Sequence, residues 1–251
     1  MKFATGLLPA LALSAQALTV PTGLQSRFDV NGILALVSKL FPFDVTLEAA
    51  QTLSTAAEEA LALAQGFKTT RQDLDDGKCS DLLVIFARGT DEPGNVGALV
   101  GPPFFEALEG ALGSSHTLAV QGVEYEATVA DYLEGGDPEG SQEMASLVTK
   151  ALSSCPSSKI VVSGYSQGGQ LVHNAAKLLP ADTMKAVSSV VIFGDPDSSQ
   201  SVENADPGKV LVVCHNGDDI CQFGDLILLQ HLTYAQDAET AADFVVSKAG
   251  F

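Results

Sequence analysis

Positive charge is scarce in this chain. Thirteen lysine and arginine side chains face 31 aspartates and glutamates. A phosphate backbone would be repelled, so a nucleic-acid role has no electrostatic support. Long apolar runs are missing too: every stretch falls well short of the roughly 20 residues that a helical membrane span requires. No stable membrane insertion is therefore expected. Histidines and cysteines number four each, and no Cys or His pair has zinc-ligand spacing, which leaves a metal without a ligand set.

What is present begins with a leader. Met1-Lys2 precedes the apolar stretch Leu7 to Leu13 and then Ala15-x-Ala17, the order of a secretory signal peptide over residues 1–17. Its removal takes away Lys2 alone, so 12 basic and 31 acidic side chains leave a formal charge of −19. Such a balance suits a secreted, extracellular protein acting on neutral or cationic material. In that compartment four cysteines read as two disulfides, with three connectivities open. Cys214 and Cys221 bracket Asn216-Gly217-Asp218 and form a natural local bridge, which leaves Cys79 to Cys155. In the chain-entropy account the long loop contributes about 4–5 kcal/mol and the short one about 2–3 kcal/mol. The short bridge thus serves chiefly to fix its loop.

Residues 18–68 form an N-terminal extension. Gly32 to Phe41 is apolar and helix-like, with Pro42 interrupting it. Asp44 to Ala64 carries Leu47, Ala50, Leu53, Ala57, Ala60, Leu61 and Ala64 at helical spacing, and Gly66 supplies a stop. The plain expectation is a helix packed on the core surface; the sharper one is a lid or a cleaved pro-segment. From Asp81 onward short β-rich runs (82–87, 117–121, 159–163, 187–193 and 209–214) alternate with helical stretches (103–112, 139–154, 166–179 and 236–248). Apolar strands separated by helices predict an α/β fold: a three-layer α/β/α sandwich around a five-stranded parallel sheet.

The chemistry concentrates at Gly164-Tyr165-Ser166-Gln167-Gly168. An apolar run leads into this G-x-S-x-G and a helix-forming stretch follows, which is the setting of a nucleophile elbow. Gly164 and Gly168 allow close backbone approach, Ser166 is held out at a strand end, and the helix N-terminus points its free N–H groups at the oxygen that becomes negative. Serine needs a base, usually a histidine oriented by a carboxylate. His173 lies about 10 Å along the elbow helix from Ser166, at 1.5 Å per residue. His116 precedes a strand at the wrong end of the sheet, and His215 belongs to the cysteine loop. His231 follows the last strand and is the expected base. By chain order Asp195, Asp197, Asp206, Asp218, Asp219 and Asp225 all qualify as the acid. Asp218, inside the cysteine loop, is preferred, with Asp195 its main rival.

Five ordered motifs carry a resemblance: Thr69-Thr70-Arg71, Phe86-Ala87-Arg88-Gly89-Thr90-Asp91-Glu92-x-Gly94-Asn95, the elbow itself, Cys214-x-Asn216-Gly217-Asp218-x-Ile220-Cys221, and His231-Leu232-x-Tyr234. In order and spacing they resemble the cutinase family from about Thr69 to the C-terminus. The resemblance implies a cutinase-like α/β-hydrolase over 69–251, with Ser166 as nucleophile, Asp218 as acid and His231 as base. It implies an oxyanion hole from Thr90 and Gln167, and the pairings Cys79–Cys155 and Cys214–Cys221. Departures stand at Gln230, where proline commonly precedes the histidine, at Ala235, where glycine commonly follows the tyrosine, and at Asp195-Pro196-Asp197.

The expected function is a secreted serine esterase, monomeric and without cofactor, that hydrolyses cutin-like polyesters and short-to-medium acyl esters. An acetylxylan esterase of the same architecture is the alternative, and a non-catalytic surface-binding protein is a third. An apolar rim is expected from Leu99, Val100 and Pro102 to Phe105 on one side and Leu226 to Leu229 on the other.

Overall fold

The computed structural model describes residues 29–41 and 43–251. The expected signal peptide at 1–17, the start of the extension, Pro42 and the side chain of Leu53 lie outside the described set. In chain order the elements are α1 (Val30–Leu40), β1 (Val45–Thr46), α2 (Leu47–Gln65), β2 (Leu82–Ala87), α3 (Gly101–Leu112), β3 (Leu118–Gly122), α4 (Val129–Leu133) and α5 (Pro138–Ser154). They continue with β4 (Lys159–Tyr165), α6 (Gln167–Leu178), α7 (Ala181–Ala186), β5 (Ser189–Phe193), β6 (Val210–Val213), β7 (Leu226–Ile227) and α8 (Ala238–Ala249).

β3-β2-β4-β5-β6 form one sheet of five strands, and all four pairings are parallel. Its strands are apolar on both faces because both faces are covered. Leu82, Val84, Phe86, Val161, Val191 and Phe193 pack with α3, α8 and the extension helices, while Leu83, Ile85, Ile160, Val162, Val190 and Ile192 pack with α5 and α6. The three-layer expectation is met. Strand β4 sits in the middle of the order, so the turn that follows it opens at the centre of the sheet's carboxyl edge, where open α/β sheets place their ligands.

Local chemistry sets the element ends. The Thr46 hydroxyl accepts from Ala49 N at the start of α2, and Gly66 closes that helix at φ 70°. Asp137 caps α5, with Pro138 in the first helical position. Helix α2 starts three residues later than expected, because Val45 and Thr46 pair antiparallel with Ile227 and Leu226. Helices α4 and α7, both short, were not anticipated. The apolar face of α2 also needs correction: Leu47, Ala50, Ala57, Leu61 and Ala62 are buried together with Glu58, whereas Ala60 and Ala64 face outward. Several of these buried positions lie over the sheet's carboxyl edge rather than over its flank, and that turns the stripe.

Both disulfides form as expected, Cys79–Cys155 and Cys214–Cys221. Among the described residues no helix is long and apolar enough to cross a membrane.

Candidate active site

Ser166 stands between β4 and α6 at φ 54° and ψ −123°, a region that side-chain-bearing residues rarely adopt. Its N–H is anchored on Phe193 O at 2.9 Å. The flanking glycines are required by contact: a Cβ on Gly164 would come within 2.2 Å of Gly168 O, and one on Gly168 within 2.1 Å of Ala87 O. Three backbone segments therefore meet at the elbow with no space for a methyl group.

His231 opens the 3-10 segment His231–Asp237. Its Nδ1 lies 2.8 Å from Asp218 Oδ2. Tyr234 donates its hydroxyl to the same Oδ2 at 2.6 Å, and Ile220 N–H donates to Oδ1 at 3.1 Å. Burial alone would raise the Asp218 pKa. The hydrogen bond and charge of His231, with the bonds from Tyr234 and Ile220, outweigh burial and hold it below the usual carboxylate range. The carboxylate thus stays charged well into acid, and its contribution to stability, present above the ordinary value near ~3.9, is lost only as pH falls through the lower folded value. Tyr165, next to Ser166, stacks on the His231 ring at 5.1 Å and donates its hydroxyl to His231 O at 2.8 Å.

Thr90 and Ser166 line one cavity with His231. Thr90 Oγ1 is buried with no partner among the described residues, and Gln167 N is the first amide of α6. The loop that carries Thr90 is folded around Glu92. That carboxylate accepts Gly89 N at 2.7 Å and both Ala98 N and Leu99 N at 3.0 Å. Burial raises the pKa of Glu92, and these three amides oppose the rise. Glu92 was quoted within a motif but given no role in the sequence reading, because nothing local shows that its carboxylate turns inward.

The remaining candidates fall elsewhere. Asp195 Oδ2 lies 3.0 Å from His173 Nε2, and its Oδ1 accepts Asp197 N at 3.0 Å. Both side chains are buried, so Asp195 ties α6 to the end of β5 and is not in contact with His231 Nδ1. His116 stacks on Phe251 at 4.0 Å. His215 bonds Asp237 Oδ2 and Gln230 O.

The expected apolar rim is corrected on one side. Leu99, Val100 and Pro102 to Phe105 are all buried, because α3 packs that run against α8 and the sheet. On the other side Leu226 and Leu229 are exposed, while Leu228 is half-buried and Ile227 buried; Leu40, Phe43 and Phe223 are exposed as well. Over the site lie α1 and α2. Phe41, Leu47, Ala50, Ser54 and Glu58 form one wall of the cavity, and Leu99, Tyr165, Ser166, Ile227 and His231 line the other. Ser166 is only 3% exposed and His231 2%. The cavity they line is small, about 40 Å³, and partly open to solvent.

A family model, Cutinase, matches residues 78–249. The chain belongs to the cutinase family. Among its relatives, the cutinase of Botryotinia fuckeliana is 59% identical over 172 residues, 68% of this chain and 85% of that protein. The cutinase of Pyrenopeziza brassicae is 53% identical over 78% of this chain and 94% of its own length. The solved structure of Trichoderma reesei cutinase in complex with a phosphonate inhibitor superposes with a TM-score of 0.75 at 50% identity, covering 88% of this chain and 97% of that one. This family member is thus a carboxylic ester hydrolase on an α/β-hydrolase fold.

Proposed function

We propose that this chain is a secreted, monomeric serine esterase that cleaves cutin-like polyesters and short-to-medium acyl esters, with Ser166 as nucleophile, His231 as base and Asp218 as its orienting acid. One observation carries the reading: the strained Ser166 shares a cavity with His231, whose Nδ1 is fixed by a buried carboxylate. Ser166 Oγ attacks the ester carbonyl carbon while its proton passes to His231 Nε2, and the carbonyl π pair moves onto the oxygen. The tetrahedral intermediate collapses, the alkoxide leaves with the proton from His231, and the acyl group stays on Ser166. Water, deprotonated by His231, then attacks the acyl carbon and releases the acid and the serine. Labelling tests this reading. A p-nitrophenyl phosphonate should add to the Ser166 peptide in mass spectrometry, and failure to label Ser166 would remove it from the mechanism.

Thr90 Oγ1 and the backbone N–H groups of Thr90 and Gln167 are the proposed oxyanion donors: Thr90 Oγ1 has no partner among the described residues, and Gln167 N–H is the first amide of α6, where developing negative charge is stabilised. Thr90→Val keeps the shape and deletes one donor. It is expected to lower kcat by about 10²- to 10³-fold with little change in KM, measured on p-nitrophenyl butyrate. An unchanged kcat would move the hole elsewhere.

Residues 30–65 are proposed to act as the lid, since Phe41, Leu47, Ala50, Ser54 and Glu58 lie over the cavity that Ser166 lines. Glu58 supplies a pH handle. It is buried in α2, and its Oε2 has no partner among the described residues. Burial, and then the charges of Glu92 and Asp91, raise its pKa well above the ordinary carboxyl value, with Arg88 opposing. The closed form therefore holds a proton that the open form releases. Closure is fully favoured below the ordinary value near ~4.3 and weakens as pH rises through the raised one. In Glu58→Gln that weakening should vanish, so the variant's rate on soluble esters falls relative to the parent's as pH increases. Parallel pH profiles in the two proteins would disprove the coupling. The chain-length series from acetate to palmitate decides the substrate class: a maximum at butyrate to octanoate supports the cutinase reading, and activity on acetate alone favours an acetylxylan esterase.

A further inference from the structure

Besides the packing of α1 and α8 on the 3-10 segment, a second histidine ties down the loop of Gln230 and His231. His215, next to Cys214, places Nδ1 2.7 Å from Gln230 O and Nε2 2.7 Å from Asp237 Oδ2. A backbone carbonyl can only accept, and so can an ionised carboxylate, so an imidazolium, donating from both ring nitrogens, satisfies both partners. The ring lies on Tyr234 at 4.0 Å between centroids and 21° between planes. The backbone N–H of His215 donates to the Tyr234 hydroxyl at 2.9 Å, and that hydroxyl donates to Asp218. Three arms leave one residue. They end on the carbonyl just before His231, on the last residue of the 3-10 segment that His231 opens, and on the carboxylate that orients His231.

We propose that His215 is a positioning residue for this hydrolysis: as a doubly donating imidazolium it clamps the loop of His231 against Asp218, and the clamp releases when the ring is neutral. The proposal rests on the reading of Ser166, His231 and Asp218 given above. The charged groups acting on the ring are Asp237, from the 3-10 segment, and Asp218, from its own loop; Thr233, Gln236 and Tyr234 add neutral polar contacts. Partial burial lowers the proton affinity of His215. The bonds to Asp237 and Gln230 O and the charges of Asp237 and Asp218 outweigh it, so the proton is held above the ordinary range. The clamp is accordingly complete below about pH 6.5 and is lost as pH rises through the higher folded value.

This predicts an alkaline limb that is not the base's own. For p-nitrophenyl butyrate between about pH 5 and about pH 10, kcat per phosphonate-titrated site should fall roughly tenfold across that limb with KM nearly constant, less than the ~10²-fold of a 1 Å misplacement. Ser166→Ala serves as the blank for spontaneous hydrolysis. His215→Gln should have a kcat roughly tenfold lower at neutral pH and no alkaline step, by the same comparison. Asp237→Asn keeps an acceptor but removes its charge, so it should retain the step and move it to lower pH. Melting midpoints show whether either variant is merely unfolded. An alkaline limb unchanged in both variants would overturn the proposal, as would a His215→Gln loss uniform in pH with the step retained. If instead the phosphonate does not label Ser166, the triad reading fails. Ring-nitrogen NMR then judges the clamp alone: one protonation of His215 above its ordinary range, felt at His231, sustains it, and no change at His231 refutes it.

Discussion

Ser166→Ala is expected to lower kcat for p-nitrophenyl butyrate by roughly 10⁴- to 10⁶-fold while the protein melts at nearly the parent temperature. The two halves of that expectation have separate causes. Alanine keeps the Cβ and so occupies the same φ 54°, ψ −123° backbone at the same strain. The anchor from residue 166 N to Phe193 O is a main-chain bond and survives. What disappears is the hydroxyl, and with it every covalent step. Substrate binding and the oxyanion donors remain, so a small rate above water persists. Single-turnover kinetics with a calorimetric scan measure both halves, and an unchanged rate would leave a non-catalytic binding protein.

The second large effect belongs to Asp218→Asn, expected to cost about 10⁴-fold in kcat with the fold intact. The reason lies in who donates. Asp218 receives three hydrogen bonds, from Ile220 N on one oxygen and from Tyr234 and His231 on the other. An asparagine that keeps its oxygen on the Ile220 amide turns its NH₂ toward Tyr234 and His231. Nδ1 must then accept, the ring proton moves to Nε2, and the nitrogen proposed as the base can no longer take the serine's proton. Flipped, the NH₂ confronts the Ile220 N–H. Either arrangement fails, in the first through the tautomer and in the second through an unpaired donor. Tyr234→Phe removes one donor from Asp218 and should be far milder. Comparing the pH dependence of Asp218→Asn with the parent checks the tautomer argument, because alkaline conditions should restore part of the rate.

The sequence reading succeeded where one local rule decides the outcome. G-x-S-x-G between an apolar run and a helix former dictates the elbow, and the alternation from Asp81 onward dictates a parallel sheet. His231 and Asp218 followed from chain order and strand ends, and the structure brings those two side chains together. The reading was blind where the decision is made at a distance. Val45 and Thr46 pair with Leu226 and Ile227, two residues against two, with no pattern long enough to register in a sequence. Glu58 looks like an outward charge on an amphipathic helix until α2 is laid over Asp91 and Glu92. The run Leu99 to Phe105 was read as a lip, yet composition alone does not distinguish a greasy surface from a core helix. Here α8, more than a hundred residues downstream, covers it.

The Cys79–Cys155 bridge lies just before β2 and β4, which are neighbours in the sheet with Leu82 opposite Lys159. Those strands are the axis of the sheet, and 76 residues separate the two cysteines. Bringing such distant strands together is the slow step of parallel-sheet assembly, since loop-closure entropy is lost before any contact forms. A chain oxidised at this pair starts with the two strand origins already adjacent, and a one-residue slip, which would reverse every inward side chain, has little slack in which to occur. The bond is therefore more than a staple on the finished sheet: in a chain that refolds while oxidised it shortens the loop that must close before β2 can pair with β4.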